Sequence, residues 1–323
     1  MPKLRQNPLT GEWVVIAPER AKRPDDYVLP KPIAKKKILE FCNFCEGGEA
    51  YNERLEGVGT KHIYVVNNKY PAFVPKESII LDAGKIYNSQ QSTGGHEVIV
   101  FLDHQTDIEE LPTAQLDELL EVYQQRIAYY KQKPEIEYVM PIHNHGAEAG
   151  ESIEHPHSQL FASCVLPNLI AREIAQTRKF HQKENRCIFC EIIKEEKTFG
   201  ARLLIETEDF LSFCAYAARV PFEIWILPKT HQEHFDHLTK PKRQQLAQLM
   251  SAVIKKLYQG LNDPPFNFFV HTAPAKMSRP LGFYHWHIEI MPRLTIFGGY
   301  ELGSGIIIDV VSPEKSAEFL RKV

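Results

Sequence analysis

Two stretches of this chain repeat each other in register, so whatever fold one adopts the other must share. They open on Cys42-Asn43-Phe44-Cys45 and Cys187-Ile188-Phe189-Cys190. A strand-like apolar run ending in histidine comes next: Val98-Ile99-Val100-Phe101-Leu102-Asp103-His104 in one, Ile224-Trp225-Ile226-Leu227-Pro228-Lys229-Thr230-His231 in the other. Leu111 stands seven residues after His104, and Leu238 seven after His231. A helical period follows each, through Leu116, Leu119, Leu120 and Tyr123, and through Leu246, Leu249 and Ile254. Each half then reaches a strand with two histidines, His155/His157 and His285/His287. The separations are 51 residues from His104 to His155 and 54 from His231 to His285. The chain is a duplication, which we divide into residues 1–178 and 179–323.

The cysteines say what the repeat holds. A chain of 323 residues, 43% hydrophobic and 24% charged, suits one large or two medium globular domains. No apolar run follows Lys3 and Arg5 as a secretory signal would, and nothing approaches the roughly 18 apolar residues of a membrane span. The expectation is a cytoplasmic protein with no membrane contact, whose paired cysteines stay reduced and hold metal. A formal charge of −3 argues against a nucleic-acid partner. Neither C-x-x-C has a second pair in its own half, so histidines must complete a tetrahedral zinc site. The repeat selects Cys42, Cys45, His104 and His155 in the first half, and Cys187, Cys190, His231 and His285 in the second. His234 and His237 adjoin His231 without its place in the repeat. Cys164 and Cys214 stand in apolar runs and read as core. His62, His96 and His181 read as solvated or locally hydrogen-bonded.

The segment Glu154-His155-Pro156-His157-Ser158-Gln159-Leu160 carries the chemistry. In an extended strand, His155, His157 and Gln159 share one side. With His155 given to metal, His157 is left over, and a neutral imidazole beside a phosphate can attack phosphorus to form a nucleotidyl intermediate. The preceding loop, Asn144-His145-Gly146-Ala147-Glu148-Ala149-Gly150-Glu151-Ser152, offers backbone N–H groups and a hydroxyl suited to phosphoryl oxygens.

With Asn7-Pro8-Leu9-Thr10-Gly11-Glu12-Trp13 and Arg20-Ala21-Lys22-Arg23-Pro24, these motifs resemble the galactose-1-phosphate uridylyltransferase family of the histidine-triad superfamily. The resemblance covers essentially the whole chain. It implies an α+β fold of two histidine-triad domains, each an antiparallel sheet with packed helices, and a homodimer. It implies His157 as the nucleophile that takes up UMP and Gln159 as the amide supporting that intermediate. Arg20, Arg23, Asn144, Ser152 and Gln159, with Gly150 in the same loop, match positions that contact phosphates or the covalent nucleotide. Asn67 and Asn68 lie in Val66-Asn67-Asn68-Lys69-Tyr70-Pro71, which matches the segment lining the base and ribose.

An amide cannot serve as a general acid, so Gln159 favours transfer between phosphates, whose leaving groups need no proton. It can still donate to a phosphoryl oxygen. The expected reaction is ping-pong transfer of UMP between UDP-glucose and galactose-1-phosphate. In the second half Glu289 replaces the amide and His271-Thr272-Ala273-Pro274 the loop; a carboxylate facing an incoming phosphate is expected to repel it, leaving a structural copy. Some relatives bind their second metal with a glutamate and three histidines, matched here by Glu173, His271, His285 and His287. The two sets would compete for His285, and the thiolate pair is preferred. The segment Gly299-Tyr300-Glu301-Leu302-Gly303-Ser304-Gly305 resembles the branch that includes plant ADP-glucose phosphorylase, and Gly303–Gly305 N–H groups could hold a phosphate there. A phosphorylase of ADP-glucose using inorganic phosphate thus stays open, as does a zinc-stabilised nucleotide-binding protein without turnover.

Overall fold

Val98-Ile99-Val100-Phe101 is apolar on both faces, the pattern of a strand covered from both sides, and it lies fully buried inside a sheet. The computed structural model describes residues 1–20, 27–29, 42–75, 82–83, 86–277 and 281–323. The chain opens with β1 (Lys3–Gln6) and β2 (Trp13–Ile16). The first half continues through α1 (Glu49–Asn52), β3 (Ile63–Asn67), a small hairpin of β4 (Asp82–Ala83) and β5 (Asn88–Ser89), β6 (Gly94–Phe101), α2 (Thr113–Lys131), β7 (Tyr138–His145) and β8 (His157–Ser163). The second runs α3 (Asn168–Glu184), α4 (Ile188–Phe199), β9 (Leu203–Glu206), β10 (Phe210–Cys214), β11 (Ile224–Pro228), α5 (Lys240–Leu261), β12 (Phe266–His271) and β13 (His287–Pro292). Last come α6 (Gly299–Ser304), β14 (Ile307–Asp309) and α7 (Pro313–Arg321).

Nine strands form one antiparallel sheet in the order β3-β6-β8-β7-β12-β13-β11-β10-β9. From its middle outward the same order runs twice: β7-β8-β6-β3 to one side, β12-β13-β11-β10 to the other. The seam is β7 against β12, with Ile142 opposite Phe269 and His145 opposite Phe266. Register repeats as well as order. Val98 and Ile142 flank Gln159, and Trp225 and Phe269 flank Glu289, so Gln159 and Glu289 occupy one position twice. The fold is the expected duplicated α+β architecture. Residue 178, where the halves were divided, falls inside α3.

The two faces of the sheet have different work. One is covered by the long helices: Leu116, Leu119, Leu120, Tyr123 and Ile127 of α2, and Leu246, Leu249, Met250, Val253 and Leu257 of α5, pack on Ile99, Leu160, Ile226, Phe268 and Ile288. Each such side chain fully buried contributes about 1.5–3 kcal/mol. Gly95 makes the α2 contact possible, because a Cβ there would overlap the Tyr130 hydroxyl. That hydroxyl donates to Glu97, 2.8 Å away, which also accepts Arg126 Nε and Nη2 at 2.8 and 2.6 Å. On the opposite face α3 and α4 cover the second half, Ile170, Ile174, Ile188 and Ile193 joining Phe213 and Trp225. Among the described residues, the same face of the first half carries only the small cluster of Phe44, Tyr64, Val66, Val98 and Val100. Among the described residues, no helix like α3 or α4 covers the side where His157 and Gln159 point.

Candidate active site and metal centres

His155 sits just ahead of β8, and its Nε2–H donates to the Phe101 carbonyl at 2.6 Å. The lone pair therefore lies on Nδ1. Facing that nitrogen are Cys42 Sγ at 3.5 Å, Cys45 Sγ at 3.6 Å and His104 Nδ1 at 2.9 Å, while Cys45 and His104 are 3.3 Å apart. Tetrahedral zinc would separate sulfur and nitrogen ligands by about 3.5 Å, so this donor set fits it. A carbonyl behind the histidine is the usual second partner of such a ligand. Phe44, inside the C-x-x-C, packs edge-on against both His155 and His157, at 5.7 and 5.4 Å. The cysteine knuckle thereby braces the strand that carries His157.

The second half repeats this arrangement more loosely, with Cys187 Sγ turned to the Phe283 carbonyl at 3.7 Å. His285 Nε2 meets the Pro228 carbonyl at 2.8 Å, and its Nδ1 faces Cys190 Sγ at 4.0 Å, with His231 Nδ1 3.8 Å from the same sulfur. Phe189 lies against His285 and His287 as Phe44 lies against their counterparts. Hydrogen bonding from Cys187, then from His231 and His285, pulls the Cys190 thiol far below its ordinary range. The thiolate is the form that binds metal. The competition expected for His285 does not arise, since one ring nitrogen is spent on a carbonyl and the other faces a cysteine. The alternative set closes without it, as Glu173, His271, His287 and Glu289.

His157 begins β8 and is buried, with Nδ1–H donating to the His155 carbonyl at 2.8 Å. This places the lone pair on Nε2, the nitrogen able to act as nucleophile. Two residues along, Gln159 Oε1 lies 2.7 Å from His96 Nε2. The Ala72 backbone N–H points at His96 Nδ1 from 3.2 Å, so Nδ1 accepts and Nε2 carries the proton. Burial keeps this imidazole neutral, lowering its pKa against the pull of Gln159. Gln159 therefore accepts through its oxygen and turns its NH₂ into the site. His96, read from sequence as a bystander, is the residue that orients the amide. The β6–β8 register, His96 opposite Phe161 and two residues from the position opposite Gln159, makes the pairing, and no sequence spacing displays it.

The glycine loop hangs from the end of β7. Gly146 and Gly150 both adopt left-handed backbone, at φ 83° and 88°, and Gly146 lies where a Cβ would meet Pro265. Gly146 N–H donates to Glu151, and Asn267 Nδ2 bridges Asn144 Oδ1 and the Ala149 carbonyl at 2.8 and 2.7 Å. Gly150 and Ser152 are exposed at its tip. Asn67 ends β3, exposed, and the half-buried Asn68 brings Nδ2 to 3.2 Å from His96 Nε2, a contact between two N–H groups and not a hydrogen bond in that tautomer. Arg20 closes a short turn, Pro18–Arg20, and Arg23 lies outside the described residues.

Two expectations for the second half change. Glu289 faces no incoming phosphate: it is 2% exposed and ion-paired with Arg219, which also holds Glu223 at 2.7 Å. Arg219 thus bridges two carboxylates at the positions matching His96 and Gln159. A filled, buried ionic cluster closes this copy, rather than repulsion. Gly303–Gly305 make no phosphate cradle either, because Gly299–Ser304 is helical and the Gly305 N–H is spent on the Glu301 carbonyl at 2.9 Å. The second half does hold a cavity of about 790 Å³ beside Phe213 and Trp225, where Arg186 and Arg202 are already paired with Glu184, Glu191 and Glu196 of its lining.

Comparison with known proteins agrees with this geometry. Residues 1–167 match the family described as galactose-1-phosphate uridyl transferase, N-terminal domain, and residues 173–318 its C-terminal domain. The chain is 32% identical to an ADP-glucose phosphorylase of Arabidopsis thaliana over 332 residues, covering all of this chain and 93% of the relative. It is 30% identical to a galactose-1-phosphate uridylyltransferase of Thermotoga maritima over 333 residues, covering all of this chain and 98% of the relative. A crystal structure of the Arabidopsis thaliana ADP-glucose phosphorylase with bound ADP-glucose superposes with a TM-score of 0.84 at 30% identity, covering 100% of this chain and 99% of that one. A duplicated sheet that offers a neutral histidine and an oriented amide in one half, matched along its whole length by these relatives, places the chain in the galactose-1-phosphate uridyl transferase family.

Proposed function

We propose that this protein is a nucleotidyltransferase that moves UMP between UDP-glucose and galactose-1-phosphate through a covalent intermediate on His157. The observation that carries the reading is the tautomer of His157. With Nδ1–H held by the His155 carbonyl, Nε2 attacks the α-phosphorus as the bond to the hexose-1-phosphate breaks. The departing phosphate keeps the electron pair and needs no proton. The positive charge gained by the ring is offset through that same carbonyl. Gln159, held by His96, donates an N–H to the phosphoryl oxygen whose charge builds up. A second hexose-1-phosphate then attacks phosphorus, and His157 leaves as the neutral base it was.

Asn144, Ser152, Arg20 and Arg23 act on the phosphates in this reading and Asn67 and Asn68 on the nucleoside, while Gly150, its N–H on the Ala147 carbonyl at 3.0 Å, shapes the loop. Each Cys/His set holds one zinc ion, which fixes the histidine beside the reactive or formerly reactive ring. The chain works as a homodimer in the cytoplasm; among the described residues no helix is long and apolar enough to cross a membrane.

The relative named as an ADP-glucose phosphorylase favours a second reading, in which AMP is the group carried and inorganic phosphate the acceptor. Incubation with UDP-glucose or ADP-glucose, followed by intact mass measurement, decides between them. A gain of UMP supports the first, and a gain of AMP the second. Tight binding with neither would leave a nucleotide-binding protein without turnover.

A further inference from the structure

We propose that Asp107, Glu109 and His145 form a third metal site, for a hard divalent cation, at the seam between the two halves. His145 is the last residue of β7, opposite Phe266 of β12. Asp107 and Glu109 come from the turn between β6 and α2. All three are buried, at 9%, 8% and 6% exposure for Asp107, Glu109 and His145, and their ligand atoms lie within 4.8 Å of one another.

The second carboxylate around His145 sets the ring. Asp263, in the turn between α5 and β12, lies 2.7 Å from Nε2, which donates to it. A carboxylate behind the distal nitrogen is how metal-bound histidines are commonly held. Nδ1 then faces Asp107 Oδ1 at 3.5 Å and Glu109 Oε2 at 4.0 Å. Neither His145 Nδ1 nor Glu109 Oε2 has a hydrogen-bond partner, and both are fully shielded from solvent. These gaps are wider than hydrogen bonds, and an ion bound at about 2.1 Å would draw the donors together.

Charge balance points the same way. Three carboxylates surround one imidazole, and the charges acting most on Glu109 are those of Asp107, His145 and Asp263. Burial, then the neighbouring Asp107, push Glu109 up to about 7. For His145, burial works downward, and the nearby carboxylates Asp107 and Asp263 override it. Protons and metal compete for such a site. Two carboxylates and one imidazole suit a cation such as Mn²⁺, unlike the thiolate-rich sets nearby. The ion would pin the start of the glycine loop, since Gly146 follows His145 directly, and tie it to Asp107, Glu109 and, through His145, Asp263.

The test is titration of the purified protein, with its native metals in place, against Mn²⁺ read by electron paramagnetic resonance. One bound Mn²⁺ per chain is expected, weakened at least tenfold in Glu109→Gln and in His145→Gln, with the zinc content of both variants unchanged. Two variants are used so that a folding failure of one, visible by circular dichroism, leaves the other. Absence of Mn²⁺ binding to the parent protein, or binding that persists in a folded variant, would overturn the proposal.

Discussion

The two halves build the same strand with the same pair of histidines and then use it in opposite ways. In the first, the position two places after the second histidine is a neutral amide held by a neutral ring, His96 against Gln159. In the second, both positions are carboxylates, Glu223 and Glu289, and Arg219 enters to neutralise them. One arrangement leaves an N–H turned outward for a phosphate. The other satisfies itself and stays buried beneath α3. The difference teaches that the histidine pair alone does not make a site; the charge state of the residue two places on decides whether the strand face stays open to a ligand.

The sharpest way to break this contrast is to remove the paired histidine from each half. His157→Gly should abolish the nucleotidyl adduct and lower turnover on the order of 10⁴-fold or more. His287→Gln should leave the adduct intact when weighed by mass spectrometry. An adduct surviving in His157→Gly would move the nucleophile elsewhere. Next in size, Arg219→Ala strands two carboxylates in the interior and should cost about 3–5 kcal/mol in denaturant unfolding. Adding Glu223→Gln and Glu289→Gln should restore most of it, while nothing comparable is expected from Gln159→Ala. Failure of the pair to restore stability would show that Arg219 acts by packing alone.

A smaller effect tests the orienting ring. His96→Phe should reduce kcat about 10- to 100-fold with little change in KM, and His96→Gln, which can still offer an N–H, should recover part of it. Equal losses in both would make His96 a packing residue. The smallest effect concerns the metal sets. Sulfur–nitrogen distances are 3.3–3.6 Å in the first half and 3.8–4.0 Å in the second, where His231 is exposed. A chelator should therefore strip the second ion first, seen as a two-step release by a zinc indicator, with a lower Tm after each step. Simultaneous release would show the two to be equivalent.

What could be read from the sequence was whatever lies at fixed spacing. Both Cys/His sets, the helices after His104 and His231, and the common face of His157 and Gln159 all follow from periodicity and repeat. Contacts between distant strands were another matter. His96 and Gln159 meet because β6 and β8 pair, and Arg219 reaches Glu289 across β11 from a turn with no marking in the sequence. Glu289 is therefore expected from sequence to face an incoming phosphate and repel it, when burial has already forced it to find a cation. The His285 conflict dissolved for a similar reason: a ring has two nitrogens, and which neighbours they meet is set by tertiary structure. The C-terminal glycines misled because helix formation consumes the N–H groups that a loop would have left exposed.

The β7–β12 seam carries a last consequence. Four antiparallel register pairs, from Ile142–Phe269 to His145–Phe266, join the repeats within the nine-stranded sheet among the described residues. A gene cut between α3 and α4 would yield two fragments, each presenting that strand as a raw edge with a row of unmet amides and carbonyls. Such an edge invites its own copy, and antiparallel geometry permits a two-fold pairing of β7 with β7. The isolated first fragment should then sediment as a dimer, and mixing in the second should convert it to a heterodimer. Fusion into one polypeptide removes that choice, fixing one reactive half beside one silent half in every molecule.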